Sequence, residues 1–227
     1  MISRGNGRMQ IFLEDFDYRK FLYILGDVVD LYDVECWDFC LMPNHYHLAL
    51  CNRKPNLSEA IQHLNGVYAL WWNATHRKVG HVFQGRYKDQ IVQHDEYLLS
   101  LVRYIALNPV RAKLVHDPAE WQWSSYGCIA GLRPMPAFLS ADPILKTFGE
   151  ADLPSLRDRY RRHVMAFSED EEIKAERFRS RERVLGDKAF KRSILVDDCR
   201  ENDGVSPQAP PVPMDARAKS DSTATLG

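Results

Sequence analysis

The sequence predicts an α+β fold in which helices cover an antiparallel sheet, followed by a mostly helical extension and a polar tail. Three observations lead to this prediction: strand and helix patterns alternate through the first half of the chain, turn signals separate them, and the composition changes after Val115. With 227 residues and 45% hydrophobic residues, the chain can bury a core of its own. We expect a core domain over residues 1–115, an extension packed on it over 116–200, and a disordered tail over 201–227.

The first strand and the first helix are predicted within residues 1–33. The segment "MISRGNGRMQIF" is typical of a strand that runs into a glycine-rich turn. In "DFDYRKFLYILGDVVDLYD" apolar residues from Leu22 to Tyr32 recur at helical spacing. Asp15 or Asp17 is placed to cap this helix.

The following segments complete the sheet. "VECWDFCLM" is the apolar and aromatic run of a buried strand, Pro43-Asn44 predicts a turn, and "HYHLALC" predicts the next strand. "LSEAIQHLNGVYALWWNATHRK" places Ile61 and Tyr68 on one side of a helix. "RYKDQIV" is typical of a strand, and "DEYLLSLVRYIAL" of a helix capped by Asp95. The order β-α-β-β-α-β-α suits a ferredoxin-like antiparallel sheet with helices packed against it.

Composition excludes several classes of protein. The sequence has neither a run of ~18 to 20 apolar residues, as a membrane span needs, nor a charged-then-apolar leader, so we expect a cytoplasmic location without membrane attachment. Five scattered cysteines indicate reduced thiols rather than a disulfide framework or a zinc site.

For phosphate binding, the distribution of charge along the chain is more informative than the net charge of −1. Residues 76–115 contain seven Lys or Arg and three Asp or Glu, whereas acid is concentrated in places such as "SEDEE" at 168–172. A local basic surface can bind phosphates whatever the sum over the whole chain.

The stretch "MPNHYHLAL" contains two histidines one residue apart on a predicted strand. Side chains alternate between the faces of a strand, so His45 and His47 share one face while Tyr46 and Leu48 point into the core. Two imidazoles placed in this way can bind one metal ion. The alternative is a pair of polar residues on a solvated face.

A second candidate site lies in "RYIALNPVR". In a helix Tyr104 and Asn108 are four residues apart and Arg111 follows three residues later, so a phenol, an amide and a guanidinium share one side. Each residue also has an ordinary explanation. Tyr104 could be a core aromatic, and Asn108 followed by Pro109 could start a new helical turn.

Taken together, "CLMPNHYHLAL", "FQGRYK" and "RYIALNPVRAKLV" resemble the REP-associated tyrosine transposases, single-tyrosine members of the HUH superfamily of single-strand DNA endonucleases. The resemblance covers residues 1 to about 150 and extends more weakly to about 195. It implies an HUH-type catalytic domain in which His45 and His47 bind a metal ion, Asn108 is the third ligand and Tyr104 is the nucleophile. It also implies a 5′-phosphotyrosine intermediate, and as the substrate single-stranded DNA with short palindromic hairpins (REP-type palindromes) and an adjacent single-stranded tetranucleotide. Mg²⁺ and Mn²⁺ are both expected to support the reaction, with Mn²⁺ binding more tightly because it accepts imidazole ligands better.

Basic and aromatic residues interleave in "HRKVGHVFQGRYK", which suits phosphate contacts and base stacking along a single strand. The glycines of "SRGNGR" let the backbone approach a base or a phosphate closely. The predicted DNA-binding residues are Arg4, Asn6, Arg77, Lys78, Phe83, Arg86, Tyr87, Lys88, Arg103 and Arg111. The protein is expected to act as a monomer or a homodimer.

Two other functions remain open from the sequence. A relative that has lost catalysis would still bind hairpins, and the short start "MISRGN", compared with relatives, fits either such a decayed copy or an upstream start codon. A two-histidine hydrolase unrelated to DNA would need an acidic partner, for which Asp38 and Asp89 are the candidates.

Overall fold

A computed structural model of the chain describes residues 1–93, 96–166, 178 and 183–201. Its strands are β1 (Ile2–Arg4), β2 (Val34–Met42), β3 (His45–Asn52), β4 (Ile91–Val92) and β5 (Val184–Leu185). Its helices are α1 (Asp15–Tyr32), α2 (Leu57–His76), α3 (Glu96–Ala106), α4 (Asn108–Arg111), α5 (Tyr126–Ile129), α6 (Asp142–Lys146), α7 (Leu153–Met165) and α8 (Lys188–Glu201). The predicted α+β class, with helices against an antiparallel sheet, is confirmed. The predicted cap Asp95, the acidic run 168–172 and the tail after residue 201 lie outside the described residues.

The main sheet has the order β1-β3-β2, and both of its strand pairs are antiparallel. Two further segments extend it by isolated bridges. Lys88 pairs with Ile2 of β1 and Phe83 with Gly5 just after it, and Ser124 of the extension pairs with Cys40 on the outer edge of β2. The predicted strand "RYKDQIV" is therefore divided. Its beginning lies beside β1, and its end forms β4, which pairs in parallel with β5. The segment therefore contributes to two different sheets.

Helices cover both faces of the main sheet. On one face α1 and α2 pack over Tyr46 and Leu48, which are fully buried. On the other face α3 brings Tyr104 and Ile105 onto Cys40, Met42 and Ala49. No helix in the described ranges combines the length and the apolar character that a membrane crossing requires.

The start of α1 differs from the prediction in detail. The capping position is Glu14, while Asp17 lies one turn into the helix. The Asp17 carboxylate accepts the backbone N–H groups of Leu13 and Glu14, at 2.7 and 2.9 Å. Its other oxygen is 2.8 Å from Nε2 of His76, the last residue of α2, and thus joins the two helices.

A buried carboxyl group lies where the extension meets β2. Asp38 is fully buried, one of its oxygens accepts the Ser125 hydroxyl, and the other has no hydrogen-bond partner among the residues that the structure describes. Burial raises the pKa of Asp38 to about 7, against the smaller opposing effect of the Ser125 hydrogen bond. The neighbouring titratable groups are Cys36 and Cys40 of β2 and Tyr160 of α7, and burial raises the pKa of each. The carboxyl group is therefore protonated in the folded protein over much of the acid range.

Asp38→Asn is expected to raise the melting temperature at pH 8 by about 5 to 10 °C and to leave it nearly unchanged at pH 4. In the unfolded chain an aspartate loses its proton near pH 4, whereas the folded protein keeps it to about pH 7. The unfolded state thus binds fewer protons between these values, and the wild type loses stability as the pH rises through them. The amide retains an acceptor for Ser125 and does not ionise. Melting curves of both proteins from pH 4 to 8 provide the measurement, and a variant less stable than the wild type at pH 8 would contradict it.

Candidate active site

The two histidines of β3 lie side by side on the face of the sheet that α3 covers. Their ring centroids are 4.9 Å apart, and the rings are inclined at 74°. Tyr46 between them points the opposite way, fully buried, and its hydroxyl donates to Asn65 at 2.6 Å. The amphipathic residue at this position therefore has a partner for its polar end. The predicted sharing of one face by His45 and His47 is confirmed by the strand register.

The environment keeps both imidazoles neutral. Burial, reinforced by the charge of Arg4, lowers the pKa of His45 to about 4. Burial and the neighbouring His45 hold the pKa of His47 well below its ordinary value. Nδ1 of His45 is 2.7 Å from Oδ1 of Asn44, whereas Nε2 of His47 is buried and has no hydrogen-bond partner within the described part of the chain.

Tyr104 lies directly against this pair. Its ring centroid is 5.4 Å from that of His47, and the two rings are nearly perpendicular. Phe178, from the C-terminal part of the chain, packs on Tyr104 with a centroid distance of 5.4 Å. Only 5% of Tyr104 is exposed, and Phe178 is one of the residues that cover its ring.

Asn108 and Arg111 converge on Tyr104 from the next turn of the chain. Nδ2 of Asn108 donates to the Tyr104 carbonyl oxygen at 2.8 Å, and Nη1 of Arg111 donates to the same oxygen at 3.2 Å. The Arg111 guanidinium also lies 5.6 Å from the centre of the Tyr104 ring, within cation-π range. The helix breaks at Leu107 because Pro109, the second residue of α4, has no N–H to donate to the preceding turn, so Asn108 begins a new turn. These contacts fix the backbone of the tyrosine.

The acidic partners that a hydrolase would need are directed elsewhere. Asp38 accepts the Ser125 hydroxyl, and Asp89 lies 3.4 Å from Arg183. Among the residues that the structure describes, no three His, Cys, Asp or Glu side chains form a possible metal site. A third ligand beside the two histidines would have to be of another type, such as an amide.

Most of the predicted DNA-binding residues lie on the surface, and two do not. The exposed or half-exposed ones are Arg4, Asn6, Arg77, Lys78, Arg86, Tyr87, Lys88 and Arg111. Phe83 is buried against Tyr46 and Tyr68 and offers no free ring face for stacking. Arg103 is also buried, and its Nε donates to the His163 carbonyl oxygen at 2.8 Å. It thereby joins α3 to α7, because the side of α3 opposite the sheet is covered by the extension.

Two contacts at the site were not predicted from the sequence. The sequence predicted only a turn at Asn44. Its position directly before His45 could have indicated that its side chain contacts and orients the imidazole. Phe178 had no sequence signal at all, since it is 74 positions away from Tyr104 along the chain.

Comparison with known proteins agrees with the sequence motifs. The model of the IS200-like transposase family matches residues 1–108, which contain the histidine pair and Tyr104. A solved structure of a REP-associated tyrosine transposase bound to a REP hairpin aligns with a TM-score of 0.49 and 16% sequence identity, over 61% of this chain and 81% of that chain. No curated protein sequence is significantly similar. The resemblance to tyrosine transposases inferred from the motifs is thus confirmed for the N-terminal part of the chain.

Proposed function

Since residues 1–108 match the IS200-like transposases, we propose that the protein nicks and rejoins single-stranded DNA beside hairpins through a covalent bond to Tyr104. The observation that supports this most directly is the packing of the Tyr104 ring on His47 of the same chain, 5.4 Å between centroids. A phenol and a pair of neutral imidazoles in contact are the groups that such a reaction needs. Tyr104 belongs to α3 and His47 to β3, and the two residues are 57 positions apart in the sequence.

The histidine pair is suited to hold a divalent ion. A metal binds the unprotonated nitrogen of imidazole, and burial keeps both histidines in that form. Nε2 of His47 is a buried polar atom with no partner in the described ranges, and a role as metal ligand would explain this. Oδ1 of Asn108 is the proposed third ligand, because its Nδ2 is already bonded to the Tyr104 carbonyl oxygen. Mg²⁺ or Mn²⁺ held here would act as a Lewis acid on the phosphate and neutralise its charge.

Tyr104 would supply the nucleophile. Its phenol oxygen attacks the phosphorus, the phenol proton is lost to solvent, and the O–P bond to the 3′ oxygen breaks. The 3′ oxygen leaves as a hydroxyl after taking up a proton. Attack by a 3′-OH on the phosphotyrosine reverses these steps, so rejoining needs no nucleotide cofactor. Arg111, over the Tyr104 ring, would favour the developing phenolate by its positive charge.

One observation favours a second function, hairpin binding without catalysis. Tyr104 is 5% exposed beneath Phe178, as expected for a protein in which the phenol no longer reaches DNA. Incubation of the wild type with labelled single strands carrying a hairpin, together with Mn²⁺, separates the two functions. A covalent adduct that survives denaturing electrophoresis supports the nuclease. Tight binding without adduct or nick supports the second function.

Arg86→Ala is expected to weaken binding to hairpin strands of any sequence and to reduce the salt slope of the affinity by about one unit. Arg86 is exposed beside the edge of β1, in a segment rich in basic residues. Titrations at several salt concentrations give the slope. Arg19→Ala is the matched control, since Arg19 is an exposed arginine on α1 paired with Asp15. Equal slopes for Arg86→Ala and the wild type would exclude this segment and direct attention to the basic residues between Leu156 and Arg192.

A further inference from the structure

The side chain of Asn44 links the loop after β1 to the first histidine of the pair. Its Nδ2 lies 3.2 Å from the carbonyl oxygen of Arg8, and its Oδ1 lies 2.7 Å from Nδ1 of His45. The proposed reaction at Tyr104 gives this side chain no role, although it contacts a proposed metal ligand directly. The two contacts together determine which atoms of the amide and of the imidazole carry protons.

The Arg8 carbonyl group sets the direction of the Asn44 amide. A carbonyl oxygen can only accept a hydrogen bond, so the amide must point its NH₂ group, and not its oxygen, toward Arg8. The amide oxygen then faces His45 and can also only accept, so Nδ1 of His45 must be the nitrogen that carries a proton. Because a neutral imidazole has one N–H, Nε2 of His45 keeps an unprotonated lone pair.

The loop of residues 5–9 holds the Arg8 carbonyl group in a defined direction. Gly7 and Arg8 both have left-handed backbone conformations, with φ of 55° and 62°, and the Arg8 N–H donates to the Gly5 carbonyl oxygen at 3.0 Å. The left-handed region is unfavourable for a residue with a Cβ, so the surrounding contacts must maintain it at Arg8. A Cβ at Gly5 would clash with the Met9 carbonyl oxygen, so the tight closure of the loop requires glycine there.

Backbone hydrogen bonds fasten the turn before β3 to the same segment of the chain. The Asn44 carbonyl oxygen accepts the N–H of Gly5 at 2.9 Å, and the Pro43 carbonyl oxygen accepts those of Ile11 and Phe12 at 2.8 and 3.1 Å. These bonds do not involve the Asn44 side chain, and the backbone of Asn44 does not have a positive φ. A change of this side chain should therefore leave the turn in place and alter only its contact with the imidazole.

From these contacts we propose that Asn44 is a positioning residue, which keeps the proton of His45 on Nδ1 and so leaves Nε2 free to bind the metal ion. A partner on the second nitrogen of a metal-binding histidine fixes both the orientation of the ring and the nitrogen that is available to the metal. The inference rests on the proposed function for the identity of the ion. The position of the His45 proton, however, can be measured without metal or DNA.

The test locates the His45 proton in the full-length protein, free of metal and labelled with ¹⁵N-histidine. Long-range ¹H–¹⁵N correlation spectra distinguish the two neutral forms of imidazole by their nitrogen shifts, and His45→Ala identifies the His45 signals among those of the eight histidines. Near neutral pH the wild type should carry the proton of His45 on Nδ1. In Asn44→Ala this preference should be lost, and the Mn²⁺ affinity in calorimetric titrations should fall by about tenfold.

Asn52→Ala is the matched control. Asn52 is the exposed last residue of β3, and its Nδ2 also donates to a backbone carbonyl oxygen, that of Lys54, at 2.7 Å. The same substitution at this end of the strand should change neither the His45 signals nor the Mn²⁺ affinity.

The inference is overturned if wild-type His45 carries its proton on Nε2, a result that needs no variant and holds even if Asn44→Ala folds poorly. It is also overturned if Asn44→Ala keeps the wild-type His45 signals, or loses them and still binds Mn²⁺ as tightly as the wild type. A proton on Nδ1 that depends on Asn44, in a wild type that binds no Mn²⁺, would support the orienting role of Asn44 and contradict the proposed metal-dependent function. The two failures are therefore distinguishable.

Discussion

Replacing Tyr104 by phenylalanine is expected to abolish both the covalent adduct and the nick, with a loss of at least about 10⁴-fold in rate. The change removes one oxygen and leaves the ring contacts with His47 and Phe178 in place. Folding should be retained because the aromatic packing is the same. Affinity for the hairpin and for Mn²⁺ should also remain close to the wild type, since the proposed metal ligands and basic residues are unchanged. The measurements are denaturing electrophoresis of labelled DNA and a melting curve.

Tyr23→Phe is the control for this experiment. Tyr23 is 64% exposed on α1, so the same single-atom change there should leave adduct formation unaltered. Peptide mapping of the wild-type adduct then tests the assignment directly. An adduct on another tyrosine would show that Tyr104 is not the nucleophile, and nicking without an adduct would point to water.

His47→Ala is expected to lower cleavage by about 10³-fold or more and to weaken Mn²⁺ binding. The buried Nε2 of His47 is the proposed ligand atom, and alanine removes it without adding charge. His47 is 3% exposed, so the vacated space could also destabilise the fold. For this reason His45→Ala, at a more exposed position of the same strand, is measured in parallel. Both variants should lose metal affinity in titrations with Mn²⁺ while retaining most of the hairpin affinity.

His63→Ala provides the matched control. His63 lies on α2 beside the hydroxyl of Tyr32, on the opposite face of the sheet from the histidine pair. Its loss should change neither Mn²⁺ binding nor cleavage. Full activity of His47→Ala, or cleavage that continues undiminished in excess EDTA, would refute the metal site.

Arg103 and Phe83 show where residue type alone misleads. Both were predicted to contact DNA because they lie among basic and aromatic residues. In the structure Phe83 packs between Tyr46 and Tyr68, and Arg103 bonds to His163 of α7. A cationic or aromatic side chain in a basic stretch of sequence can lie either on the surface or in the core. Only the position of the neighbouring elements decides which.

The sequence by itself determined the local structure and the shared face of the two histidines. Alternation along β3 places His45 and His47 together, because successive side chains of a strand point to opposite faces. Helical spacing likewise gave α2 its buried side with Ile61 and Tyr68. These features depend on short-range geometry, which the order of residues specifies directly.

Tertiary structure alone decided what lies against that face. The contact of Tyr104 with His47, the packing of Phe178 on Tyr104 and the burial of Asp38 at Ser125 each join residues more than 50 positions apart. Such contacts arise from how helices pack on a sheet, and side-chain periodicity contains no information about the partner element. The raised pKa of Asp38 and the lowered pKa of His47 follow from that packing, since both result from burial.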